Sequence, residues 1–95
     1  MQVKEFQELM KRLYYQRDVQ RGKDKTLLWL TEEVGELSRA MRKDDEDALG
    51  EEMADVIAWV VSLANILDMN IEELLEKKYP GHCRYCGNIP CSCNK

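Results

Sequence analysis

The sequence predicts an all-α fold: four helices followed by a short cysteine-rich tail. Three observations carry that expectation. Apolar side chains recur at intervals of three and four along most of residues 2–78, and no stretch alternates as a half-buried strand would. The 95 residues hold only 5 Gly and 2 Pro, and both prolines, Pro80 and Pro90, fall after residue 78. Met69-Asn70, followed by Glu73-Leu74, is a helix-start signature, with Asn70 as N-cap, Glu73 as its reciprocal partner and Met69 and Leu74 as the hydrophobic staple.

The first helix spans about residues 2–20, on the face formed by Val3, Phe6, Leu9, Met10, Leu13 and Tyr14, and Gly22 is its stop signal. The second spans about 26–43, with Leu27, Leu30, Val34, Leu37 and Met41 as its core stripe. Gly35, a weak helix former, leaves room there for a neighbouring helix or a ligand. Asp44 or Asp45 caps a third helix, and Gly50 marks a bend near its start. Within that helix, MADVIAWVVSLANIL (53–67) is apolar except for Asp55, Ser62 and Asn65. A helix apolar on nearly all sides is buried on nearly all sides, and three other short helices do not suffice to cover it. A second subunit is the expected cover, since a chain of this size buries too little surface to be comfortably stable alone. The fourth helix covers about 69–78, and Pro80-Gly81 opens the tail. The domain division is therefore 1–78 helical and 79–95 tail.

Formal net charge is −4, and the tail contributes two bases, Arg84 and Lys95, and no acid. The acidic excess lies wholly in the helical part. That balance argues against a nucleic-acid backbone or a bare membrane surface as partner. No apolar run has the length of a membrane span, and the N-terminal MQVKEFQELMKRL lacks the apolar region of a signal peptide. The expected location is the cytoplasm, where thiols stay reduced. Six basic residues between 11 and 25 (Lys11, Arg12, Arg17, Arg21, Lys23, Lys25) read either as a solvated face or as a phosphate-attracting rim.

Two acidic motifs carry the functional argument. Glu33/Glu36 and Glu52/Asp55 are pairs three residues apart, hence neighbours on one face of each helix. Like charges so placed repel, and an ionised Asp55 inside the most apolar segment is unfavourable unless paired or ligated. A short connection favours antiparallel packing of helices two and three, which brings all four carboxylates together. Oxygen ligands suit a hard divalent cation, Mg²⁺ or Mn²⁺. The helical part contains no histidine, which speaks against zinc there and against a di-iron site built on Glu-x-x-His. Because Mg²⁺ usually binds with few carboxylates plus substrate phosphates, the substrate class is a nucleotide or another polyphosphate.

With Glu33-x-x-Glu36 in LTEEVGEL and Glu52-x-x-Asp55 in EEMADVIAWV, the chain resembles the MazG-like nucleotide pyrophosphohydrolases, part of the all-α NTP pyrophosphohydrolase superfamily. The resemblance covers about residues 3–78 and is concentrated in 25–65. It implies a four-helix MazG-like subunit that assembles as a homodimer or homotetramer. It also implies cleavage of a nucleoside triphosphate to monophosphate and pyrophosphate, in a house-cleaning role against non-standard nucleotides. Glu33, Glu36, Glu52 and Asp55 would hold Mg²⁺ and carry the catalysis, with Glu33 or Glu36 orienting or deprotonating the attacking water. Glu32 and Glu51 are second-rank or exposed. Two competing relatives are the dimeric dUTPases, which are longer, and the phosphoribosyl-ATP pyrophosphatases.

Substrate contacts are read more loosely. Trp29 and Trp59 lie on the carboxylate faces, to stack on a base or to fill the core or a dimer interface. Asn65 either bonds a base or sugar or is a satisfied buried amide. Lys25, with Lys23 or Arg21, reaches towards phosphates.

In the tail, Cys83-x-x-Cys86 and Cys91-x-Cys93 offer four thiolates for a tetrahedral Zn²⁺, with His82 as a substitute ligand; free thiols or two disulfides are the other outcomes. A rival reading of the whole chain is a non-enzymatic helical oligomer whose zinc tail recruits a partner.

Overall fold

The computed structural model describes residues 1–94. Its helices are α1 (Val3–Arg21), α2 (Lys23–Arg42), α3 (Glu46–Ile66) and α4 (Ile71–Lys78), and no strand occurs among the described residues. Each boundary has a local cause. Gly22 alone separates α1 from α2, and its φ of 84° lies where a side chain is disfavoured, so the chain reverses without a loop. The second helix therefore starts three residues before its expected position, and Lys23 and Lys25 are helical. Thr26, fully buried, ties this corner: its hydroxyl donates to the Gly22 carbonyl at 2.7 Å and accepts from Arg21 Nε at 2.9 Å.

Asp45 is the N-cap of α3, accepting from the Ala48 N–H at 3.1 Å, an interaction worth about 1 kcal/mol. Gly50 lies inside an unbroken α3. Asn70 accepts from the Glu73 N–H at 3.0 Å; among the described residues only this half of the capping box forms, and Met69 and Leu74 both stay about half exposed. Asp44 (φ 53°) and Asp68 (φ 55°) take the left-handed conformation that ends α2 and α3.

The most extensive packing is between α2 and α3, and α1 lies mainly across α3. The α2–α3 pair is antiparallel: Trp29 meets Trp59 while Glu33 meets Glu52 and Asp55, one number rising as the other falls. The axis of α4 leaves that of α3 at 105°. Gln7 fastens α1 to this corner, its side-chain Nε2 donating to Asn65 Oδ1 (3.0 Å) and the Met69 carbonyl (2.7 Å) while its side-chain Oε1 accepts from Ile71 N–H (2.9 Å).

The core corrects the expected stripe of α2. The inward line is Thr26, Leu30, Glu33, Leu37 and Ala40, while Leu27, Val34 and Met41 face outward. The residues buried deepest on that side, Thr26 and Ala40, are small, and the larger Leu27, Val34 and Met41 lie on the other. Fully buried apolar residues are few: Met10, Ala40, Val61 and Ala64. On α3, Met53, Ile57 and Val60 remain exposed beside Val3 of α1, so one copy of the chain does not cover the apolar helix. No single helix is long and apolar enough to cross a membrane.

Candidate active site

Where α2 and α3 face each other near the chain reversal, they open a basin of about 640 Å³ lined by Glu32, Glu33, Gly35, Glu36, Arg39, Arg42, Glu52 and Asp55. Such a volume falls in the range of small-molecule sites. One carboxylate oxygen from each of Glu33, Glu52 and Asp55 lies within 4.8 Å of the others. The expected convergence of four is thus three in fact. Glu36 stands at the rim, its side chain half exposed, with Arg39 Nη1 at 4.0 Å. Repulsion explains the displacement: a fourth anion joining three without a cation is unfavourable, and Arg39 offers a partner one turn away.

The cluster bears the electrostatic signature of a cation site. The Glu33 carboxyl is pushed from its ordinary 4.5 up to about 7, first by its hydrogen bond with Glu52, then by burial, then by the charges of Glu52, Asp55 and Glu36. A shared proton therefore does in part what a cation would do. Glu52 Oε2 is buried and has no hydrogen-bond partner. An orphaned carboxylate oxygen facing two further carboxylates fits a hard divalent ion, and these residues suit one. Gly35 borders this open space: nothing lies within 4 Å of where its Cβ would stand. No neighbouring helix fills the room it leaves; the basin does.

One turn along both helices sits an aromatic recess. Trp29 and Trp59 meet edge to face, centroids 5.5 Å apart, and the Arg21 guanidinium lies 4.6 Å from the Trp59 ring. With Tyr14 and Asp18 they line a cavity of about 220 Å³. Asp18, 3% exposed, bonds Arg21 through Oδ1, while its Oδ2 has no partner.

Asn65 belongs elsewhere. It lies thirteen residues beyond Glu52, roughly 20 Å of helix rise, and its amide is engaged with Gln7 at both ends. The buried-amide reading is the one the structure supports. Lys25 is exposed on α2, eight residues and roughly 12 Å of rise before Glu33.

Sequence reasoning missed the cations that do line the basin, Arg39 and Arg42. Their signal was present: Arg39 follows Glu36 by three, on the same face. Asp18 was hidden within a strongly basic segment, and of the two readings open for Glu51 the structure shows the exposed one.

Two antiparallel helices thus aim carboxylates into one basin that Arg39 and Arg42 also line, an all-α arrangement that offers oxygen ligands to a cation and guanidinium groups to an anion. A family model described as the MazG nucleotide pyrophosphohydrolase domain matches residues 21–83, and the chain belongs to that family. Membership carries with it nucleotide pyrophosphohydrolase chemistry in general and the use of a divalent metal. Comparison with curated proteins gives no match.

Proposed function

We propose that this protein is a Mg²⁺-dependent pyrophosphohydrolase that cleaves a nucleoside or deoxynucleoside triphosphate between its α and β phosphates. The observation that carries the reading is the meeting of Glu33, Glu52 and Asp55 oxygens within 4.8 Å across two helices of a MazG-family domain. Those three residues would hold the ion, Mn²⁺ being an alternative, with Glu36 completing the set from the rim. When bound, the ion supplies positive charge against the phosphates and makes water more acidic.

The rest is the work of the chain's own side chains. Glu36 is the carboxylate outside the cluster and open to solvent, which suits it to orient or deprotonate the attacking water. Arg39 and Arg42, on the basin wall, neutralise phosphate oxygens and the departing pyrophosphate. The Trp29–Trp59 recess lies one turn from Glu33 and Asp55 along the two helices and offers aromatic surface on which a base would stack. The free Asp18 Oδ2 offers a hydrogen-bond acceptor to an amino or imino N–H group on a base, groups that the common bases place differently around the ring. Asp18→Asn should therefore reorder the base preference without abolishing cleavage; an unchanged ranking removes Asp18 from base reading.

Too few apolar residues are buried within one copy, and the Met53–Ile57–Val60 face of α3 supports a homodimer or homotetramer. Four free thiols in the tail support a cytoplasmic location. The decisive experiment is a nucleotide panel with Mg²⁺, scored separately for pyrophosphate and orthophosphate. Pyrophosphate with a monophosphate is the expected product pair. Orthophosphate release, or no turnover of any member, overturns the reading.

A further inference from the structure

Beyond α4 no further helix forms among the described residues, yet residues 83–93 are tightly turned. Gly87, at φ 75°, lets the Cys83–Cys86 turn close: its N–H donates to the Cys83 carbonyl at 2.8 Å, and Cys83 N–H donates to the Asn88 carbonyl at 3.2 Å. Asn88 Nδ2 then donates to Ser92 Oγ at 2.7 Å, drawing the second cysteine pair back over the first. The result gathers Cys83, Cys86, Cys91 and Cys93 so that all four Sγ atoms lie within 4.8 Å of one another. His82 is not part of the group.

From this geometry we infer that the tail is a structural zinc site, a single Zn²⁺ held by Cys83, Cys86, Cys91 and Cys93 of one chain. Three observations carry it. A tetrahedral zinc with Zn–S bonds of about 2.3 Å sets neighbouring sulfurs about 3.8 Å apart; Cys83 and Cys93 Sγ are 3.8 Å apart. A disulfide needs about 2.05 Å, and all four cysteines are free. Backbone N–H groups point at the sulfurs, from Ser92 to Cys86 at 3.4 Å and from Cys93 to Cys91 at 3.3 Å, as bound thiolates require. Finally, the segment has no apolar core of its own: Tyr85 is 81% and Ile89 78% exposed. Nothing apolar holds these turns, whereas a thiolate-bound metal supplies folding free energy directly. All-sulfur tetrahedral ligation suits zinc and is foreign to Mg²⁺, so the tail and the acidic basin sort different ions. The family match ends at residue 83, so three of the four ligands lie beyond it.

The test uses the full chain, purified under reducing conditions, stripped of metal and titrated with Zn²⁺ against a chromophoric chelator. One zinc per chain is expected, with affinity reduced at least about 100-fold in Cys86→Ser and in Cys93→Ser, the scale of losing a metal-shell group. Far-ultraviolet circular dichroism should show the helices intact in both variants. Co²⁺ in place of zinc should give the intense visible bands of a tetrahedral tetrathiolate in the native chain and in Asp55→Ala, where the acidic basin is impaired. No stoichiometric zinc overturns the inference. So does unchanged affinity in the two serine variants, loss of the bands in Asp55→Ala, iron as the tightly held metal, or intramolecular disulfides under reducing conditions. The readout is independent of nucleotide hydrolysis.

Discussion

The acidic basin and the cysteine tail are both clusters of metal-ligating atoms within 4.8 Å, but they are assembled in opposite ways. The basin draws Glu33 from α2 and Glu52 and Asp55 from α3, two helices that pack extensively against each other, so the fold itself brings the repelling charges together. The tail draws its four sulfurs from eleven consecutive residues with little packing around them, so the inferred zinc would have to hold the structure there. A site built by the fold can leave positions open for substrate; a site that builds its fold uses every ligand. On the proposed readings, that difference gives reaction chemistry to the first and structural support to the second.

The sharpest way to break the contrast is to remove ligands from each. Asp55→Ala or Glu52→Ala should lower pyrophosphate release by at least about 100-fold, the scale of losing a group that offsets developing charge, with helical content retained. Activity near that of the native chain in both variants would take these residues out of the reaction. Next in size is selective metal removal. A thiol reagent that displaces zinc should collapse the nuclear magnetic resonance signals of residues 82–94 and leave the helical signals in place, because α1–α4 do not depend on that ion. Loss of helical signals in parallel would mean that the tail supports the bundle. A smaller effect is expected on the rim. Arg39→Ala or Arg42→Ala should raise KM for a triphosphate about 10-fold, the loss of one charge-assisted hydrogen bond to phosphate. A pure fall in kcat would place the side chain in the transition state only.

The two regions also differ in how far the sequence discloses them. The Cys-x-x-Cys and Cys-x-Cys spacing is local, so gathering those thiols needs only a turn and one glycine. The carboxylates of the basin were legible as two i,i+3 pairs, and their convergence followed from antiparallel packing. Three details were not legible. Glu36 stays out of the cluster because charge repulsion and Arg39 act on it together, a balance that periodicity does not encode. The inward side of α2 escapes the pattern because two of its buried positions, Thr26 and Ala40, are small rather than strongly apolar. Asn65 reads like a ligand in an apolar helix until Gln7, 58 residues earlier, is seen to occupy its amide.

The smallest effect comes from the proton that Glu33 and Glu52 share, and it tests whether the basin is held by the fold. The Glu33 carboxyl titrates at about 7 in the native state against an ordinary 4.5, with the Glu52 hydrogen bond as leading cause. Below the ordinary value both folded and unfolded chains hold the proton, and the contribution to stability is fully present. Between the two values the native state keeps a proton that the unfolded chain has released, so each rise in pH subtracts stability, and above about 7 the loss is complete. In metal-free protein Tm should therefore fall from about pH 5 to about pH 8. Glu33→Gln cannot ionise and keeps a donor towards Glu52, so its Tm should fall less over the same range. Mg²⁺ should flatten the native profile too, since a cation between the carboxylates replaces the proton. If native and Glu33→Gln proteins trace parallel curves without metal, the three oxygens are not held together by packing, and the contrast with the tail loses its physical basis.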